Sequence, residues 1–322
     1  MKKITSALLA FAMVLVLVTG CGKAKEKTTI NIATISGPTG IGMVQLMSEN
    51  KNQTSENNYN FDVVSAPDAI VSKISGGECD IAAVPTNLAS TLYQKTTGGV
   101  QILAVNTLGV LSVLENGNSI NSVADLKGKE IYTTGQGSNP EYILNYVLKQ
   151  NGLEAGTDVK INFLTENEEL AQKVIKGEAK VALVPQPVAT TIMTKNSSVR
   201  IALDMTEEWS KVSEDSTLMM GCVIARKEFT DKNKDAVKDF LKEYKASIEK
   251  VNSDVKSAAA LCEEFGIIPS AALAEKAIPK CNITYVDGSE MQNKLTGYLT
   301  VLYNAKPASV GGKLPDDGFF FK

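Results

Sequence analysis

Between Ile30 and Arg226 the chain alternates two hydrophobic patterns. Short apolar runs read as buried strands, and between them lie segments whose apolar residues recur every third or fourth position, as on one face of a helix. Ile30 to Ile35 is the first run; the glycine-rich loop Ser36-Gly37-Pro38-Thr39-Gly40 follows, and Ile41, Val44 and Met47 then stand at helical spacing. The same order returns with Glu130 to Thr134, the loop Gly135 to Pro140, and a helix carrying Ile143, Tyr146 and Val147. Further strands are predicted over Phe61 to Ser65 and Lys160 to Leu164, followed by helices over Pro67 to Ile74 and Glu168 to Ile175, with later strands over Val100 to Val105 and Arg200 to Leu203. From Asp231 the pattern is helical, Val237, Phe240, Leu241, Tyr244 and Ile248 lining one face, until a polar turn and an aromatic strip end the chain at Gly311 to Phe321. Strands alternating with helices predict parallel α/β sheets.

The alternation is an internal repeat. Lys73 to Thr91 returns without a gap at Lys173 to Thr191, matching Gly77/Gly177, Glu78/Glu178, Ala82/Ala182, Val84/Val184, Pro85/Pro185 and Ala89/Ala189. Each copy reads as a helix end, a Gly-Glu turn, a buried strand (Asp80 to Val84; Lys180 to Val184) and a proline-opened loop, since proline cannot continue a central ladder. Two apolar runs broken by glycine, Asn106 to Leu114 at Gly109 and Thr217 to Arg226 at Gly221, sit where the chain crosses into and out of the second half. They are the hinge candidates. The expected division is 29–110 with 223–322 as the first lobe and 111–222 as the second, the carboxyl-terminal helices packing back on the first.

The amino terminus lies outside this pattern. Lys2 and Lys3 precede an apolar run from Ala7 to Val18, too short to span a bilayer comfortably and the length of an export signal's hydrophobic region. Val18-Thr19-Gly20-Cys21 resembles a lipobox, so residues 1–20 are expected to be removed, Cys21 lipidated, and 21–28 to serve as a tether. The protein is then expected as a monomer on the outer face of the cytoplasmic membrane, touching it through the lipid alone. A net charge of -3 and only two arginines, Arg200 and Arg226, exclude the basic face that nucleic-acid binding needs. Cys79 and Cys222 read as buried thiols, while Cys262 and Cys281 leave one disulfide open.

Candidate chemistry concentrates at the predicted strand ends, where open α/β sheets bind ligands. A glycine-rich loop running into a helix presents unpaired N–H groups and the positive end of the helix dipole, which favours an anion or strong acceptor. Ser36, Gly37, Pro38, Thr39 and Gly40, with Thr86 and Asn87, are therefore expected to touch a ligand from one half, and Gln136, Gly137, Ser138, Asn139 and Gln186 from the other. Ser138 and Glu141 also fit a capping box. Gly135-Gln136-Gly137 is only a partial dinucleotide fingerprint, Pro140 standing where the third glycine belongs, and there is no Walker A sequence. Asp231-x-Asn233-x-Asp235 fails as a calcium loop because Ala236 and Lys242 occupy the required glycine and bidentate positions. No metal or cofactor is expected.

The signal and lipobox, the S-G-P-T-G loop, the G-E-x-D-I-A-x-V-P segment and Asp125-Leu126-Lys127-Gly128-Lys129 together resemble the solute-binding lipoproteins of ABC importers, within the nitrate/sulfonate/taurine and thiamine-pyrimidine group. The resemblance implies a two-lobed type 2 periplasmic-binding-protein fold, a small polar or anionic solute held between lobes joined by hinge strands, and delivery to a permease and ATPase. It departs from several such receptors in having no arginine positioned for bidentate carboxylate capture. Two other functions are compatible with the fold: a surface sensor, and an enzyme such as those of pyrimidine or menaquinone biosynthesis. Against an enzyme stand export and the absence of histidine, the commonest general base.

Overall fold

The computed structural model describes residues 26–65 and 67–322. The expected signal segment, the lipidation site Cys21 and the start of the tether lie outside the described residues. The first half runs β1 (Thr29–Ile35), α1 (Pro38–Ile41), α2 (Val44–Lys51), β2 (Asn58–Val64), α3 (Pro67–Gly76), β3 (Ile81–Pro85), α4 (Thr86–Lys95) and β4 (Val100–Thr107). The second runs β5 (Leu111–Asn116), β6 (Glu130–Thr134), α5 (Asn139–Gln150), β7 (Lys160–Leu164), α6 (Asn167–Ile175), β8 (Val181–Pro185), α7 (Val188–Lys195), β9 (Val199–Asp204) and α8 (Met205–Val212). The chain returns through β10 (Gly221–Arg226), α9 (Lys227–Lys232), α10 (Lys234–Ser253), α11 (Val255–Glu264), α12 (Ala271–Ala277), β11 (Ile283–Val286) and α13 (Gly288–Ala305).

Two sheets share one plan, β2-β1-β3-β10-β4-β11 and β7-β6-β8-β5-β9. In each the first three strands are parallel, and the fourth is antiparallel: β10 lies between β3 and β4, and β5 between β8 and β9. The fourth strand of each sheet is thus the one that carries the chain across from the other. Because β3 and β8 are central and covered on both faces, their first four residues are all buried, which is why they are continuous apolar runs rather than alternating ones. The repeated turn before them is built the same way twice. Gly77 and Gly177 adopt φ of 76° and 77°, a left-handed conformation that glycine enters without steric cost, and Lys73–Glu78 and Lys173–Glu178 pair at 3.6 and 3.7 Å.

The crossings, 108–110 and 213–220, pack against each other. A Cβ on Gly109 would lie 2.1 Å from Thr206 Oγ1 and 2.7 Å from Leu218 Cδ2, so the side chains of Thr206 in α8 and Leu218 in the second crossing rest on the Gly109 backbone more closely than a side chain there permits. Helices α10 and α11 pack on α2, in the first half as expected. Helix α13 does not follow them. Its buried face, Met291, Leu295, Tyr298, Leu299 and Leu302, reaches the second half, where Tyr298 meets Trp209 at 5.6 Å and Trp209 meets Tyr146 at 4.5 Å. Gly297 makes this approach possible, since a Cβ there would stand 2.7 Å from Asp215 O. The terminal aromatics dock on the first sheet, Phe319 and Phe320 buried and Phe321 N donating to Ile102 O.

One open question is settled and two local expectations change. Cys262 and Cys281 are free, buried thiols with no bridge between them, and burial pushes both up to about 12. The Ser138 capping box does not form: the hydroxyl donates to Gly135 O at 2.7 Å, and Glu141 accepts from Gly137 N rather than from Ser138 N. The strand after the first repeat turn begins at Ile81 rather than Asp80, whose carboxylate instead accepts from Arg226 Nη2 and Asn31 N.

Candidate solute-binding cleft

Both arginines are occupied away from the carboxyl ends of β1, β3 and β8. Arg226 pairs with Asp80 at 2.7 Å, and Arg200 with the buried Glu115 at 2.8 Å. What remains at the carboxyl ends of β1, β3 and β8 is an uncharged cleft of about 610 Å³ that residues of both halves line. The internal repeat is visible in its walls. Pro38/Ser138, Thr39/Asn139, Pro67/Asn167, Pro85/Pro185, Asn87/Pro187 and Leu88/Val188 are pairs separated by 100 positions, and every member lines the cleft.

Of the residues expected from the sequence, Ser36, Gly37, Pro38, Thr39 and Asn87 line it from one side, and Ser138, Asn139 and Gln186 from the other. Four lie elsewhere. Gly40 is buried beneath the loop, a Cβ there meeting Ile35 O at 2.8 Å. Thr86 is buried and donates to Met219 O at 2.6 Å, tying the start of α4 to the second crossing. Gln136 and Gly137 are exposed on the outside of their loop. Ile35, Pro67, Pro85, Leu88, Thr107, Val110, Pro140, Asn167, Pro185, Pro187, Val188, Met220 and Gly221 also line it and were not expected. Most of these adjoin residues that were expected or the repeated prolines Pro85 and Pro185, while Thr107, Val110, Met220 and Gly221 lie at the crossings.

The first loop is held from below. Asn106, 1 % exposed, donates to Thr39 O at 3.1 Å and to Tyr244 OH at 2.9 Å and accepts from Thr107 Oγ1. Ser247 Oγ donates to Gly42 O at 2.6 Å. Six helices begin at the cleft, α1, α3, α4, α5, α6 and α7, and the cap residues Gly37, Pro85, Ser138, Glu166 and Pro187 make no side-chain bond to theirs. Elsewhere Asp204, Asp254 and Ser270 cap theirs, while Met43, Arg226, Asn233 and Asp287 do not.

Two buried amides in the cleft are incompletely paired. Gln186 is 3 % exposed; its Oε1 accepts from Thr190 Oγ1 at 2.7 Å and Thr190 N at 3.3 Å, while its Nε2 has no partner. Asn139, 7 % exposed, leaves Oδ1 unpaired. Among the described residues no group of His, Cys, Asp or Glu is placed to hold a metal, and no helix is long and apolar enough to cross a membrane.

Two related α/β lobes around an uncharged cleft define a type 2 solute receptor. Over residues 51–269 the chain matches the model of the family described as ABC transporter, phosphonate, periplasmic substrate-binding protein, and it belongs to that family. The family supplies the extracytoplasmic substrate-binding component of ABC transporters, which works with a permease and an ATPase. An ABC transporter structure from Parabacteroides distasonis is similar at 24% identity and TM-score 0.77, covering 92% of this chain and 99% of that one. The periplasmic aliphatic sulphonate binding protein SsuA from Escherichia coli is similar at 15% identity and TM-score 0.72, with 92% and 93% covered. The alkanesulfonate-binding protein SsuA from Xanthomonas axonopodis pv. citri, bound to MOPS, is similar at 14% and 0.63, with 90% and 96% covered. At these identities the likeness is one of fold. Comparison with curated proteins gave no match.

Proposed function

We propose that this protein captures a small anionic or acceptor-rich organic solute between its lobes and hands it to an ABC permease from a lipid-anchored position. The observation that carries the reading is the Gln186 carboxamide, whose oxygen is engaged by Thr190 and whose buried Nε2 has no partner, in the wall of a cleft at the starts of six helices. An oxyanion would satisfy that donor and the helix starts together. The phosphonate description of the family and the sulfonates of its structural neighbours are consistent with such a solute. Binding without turnover is supported by the residue types present, since among the described residues no His, Cys or charged side chain lines the cleft.

The lobes are 29–110 with 223–322, and 111–222, with α13 reaching onto the second. Closure turns on the crossings at 108–110 and 213–220, and a solute drives it by touching both lobes. Calorimetric titration with alkyl phosphonates and sulfonates, alongside solution scattering, tests this. Stoichiometric binding with a fall in radius of gyration is expected; no binding by any of them sinks the solute assignment. For the anchor, Cys21→Ser is expected to release the protein from membranes, and a variant still sedimenting with them refutes it.

A further inference from the structure

We propose that the groove between α5 and α13 is a second ligand site, separate from the cleft, and that it takes a small, flat, uncharged aromatic molecule carrying one N–H or O–H donor. The groove encloses about 430 Å³, a volume within the range of sites for small organic molecules. Tyr142 and Tyr146 line it from α5, and Val301 and Ala305 from α13. These walls offer aromatic and aliphatic carbon, against which a flat ring packs in the offset or edge-on arrangement that aromatic pairs favour.

The donor is called for by Asn145. Its side chain lines the same groove, and its Oδ1 is buried with no hydrogen-bond partner. A buried acceptor left unpaired costs free energy that a ligand's N–H or O–H recovers, so the site favours a molecule with a donor over one of the same shape without it. Charge is disfavoured in both signs. The exposed Lys149 on the groove repels a cation, and the last turns of α5 and α13, which form the walls, present the negative ends of their backbone dipoles to an anion.

The gap exists because the two helices are held by different sheets. Before α13, β11 pairs with β4 of the first sheet; after it, Val310 O accepts from Ser90 Oγ of α4 at 2.8 Å, while α5 follows β6 of the second sheet. Tyr298, one turn before Val301 on α13, also leaves its buried hydroxyl without a partner, so the protein's own groups do not complete this contact. The side chains that would carry a ligand serve the cleft as well. Tyr142 OH donates to Gly137 O at 2.7 Å, in the loop that brings Ser138 and Asn139 to the cleft, and Tyr146 meets Trp209, whose Nε1 donates to Ser216 Oγ at 3.0 Å in the second crossing. An occupant therefore bears on the cleft loop and on the crossing together. That consequence rests on the cleft being the solute site; occupancy of the groove does not.

Indole and N-methylindole are a matched pair, alike in shape but only the first with a donor. Trp209 is the chain's single tryptophan and lies 4.5 Å from Tyr146, so its side-chain N–H gives one nuclear magnetic resonance signal, beside the groove, in isotope-labelled protein. Indole is expected to shift that signal saturably and to bind about fivefold tighter than N-methylindole or more. Asn145→Leu should bring the two affinities together, and Val301→Phe, which fills the groove, should abolish both. A signal that indole leaves unmoved, equal affinities for the pair in the native chain, or saturable binding that survives Val301→Phe overturns the inference. Any of these leaves the receptor reading intact, because that reading is tested by phosphonates and sulfonates at the cleft.

Discussion

Replacing Gln186 with leucine separates the stability of the second lobe from its affinity for solute. The substitution keeps most of the side-chain volume and changes two polar relations. It removes the acceptor that engages Thr190 N and Oγ1 near the start of α7, a loss comparable to that of a helix cap, about 1 kcal/mol. It also removes Nε2, a buried donor without a partner, whose burial costs about 1–3 kcal/mol. The two oppose each other, so the unfolding free energy is expected to fall by less than about 1 kcal/mol or to rise slightly. With an oxyanion bound the balance differs, because a hydrogen bond to a charged group contributes about 1.5–3 kcal/mol and leucine cannot make it. Affinity should therefore drop about 10- to 150-fold. Gln186→Glu should lose more, since it sets a second negative charge beside the solute. Chemical denaturation without ligand and titration calorimetry with propylphosphonate give the two quantities. Wild-type affinity in Gln186→Leu would show that the amide faces no solute, and destabilisation by several kcal/mol would show that its role is to hold α7.

Asn106→Ala strands Thr39 O, Tyr244 OH and Thr107 Oγ1 beneath the first loop; a loss of about 2–4 kcal/mol in denaturation is expected together with weaker solute binding, and undiminished affinity would mean that the loop does not need this support. Gly109→Ala drives a methyl into Thr206 of α8 and Leu218 of the second crossing, so it should cost about 1–3 kcal/mol and shift the open-closed balance seen by scattering; a neutral result would mean that these side chains yield easily. Burial pushes the Glu115 carboxyl up, but the Ser119 hydroxyl and N–H, the Ile120 N–H and Arg200 outweigh it and leave the group below the ordinary glutamate range. A depressed carboxyl contributes stability above its unfolded pKa and loses it as pH falls through the folded value, so stability should decline below about pH 4.3, and less steeply in Glu115→Gln. With no histidine in the chain, binding of a sulfonate, which stays ionised throughout, should be flat from about pH 6 to 8; a titration step there would reveal an ionising group at the cleft.

The repeat, and with it the general position of the cleft, was legible in the order of the residues. Two identically placed Gly-Glu turns, two buried strands ended by proline and two glycine-rich loops before helices are local chemistry, set by allowed backbone angles and the period of the apolar residues. They sufficed to put Ser36 to Thr39, Asn87, Ser138, Asn139 and Gln186 on one surface. Which loop residues turn inward was settled by packing between distant segments. Gln136 and Gly137 face outward because Ser138 folds back on Gly135, and Thr86 is drawn away from the cleft by Met219, a residue far along the chain. The antiparallel exchange of β5 and β10 between sheets, and the reach of α13 to Trp209, depend on apolar faces matching across long sequence separations. The same holds for Asn106. As one polar residue at the end of an apolar run it carries no pattern of its own, and its role exists only once Thr39 and Tyr244 are brought to either side of it.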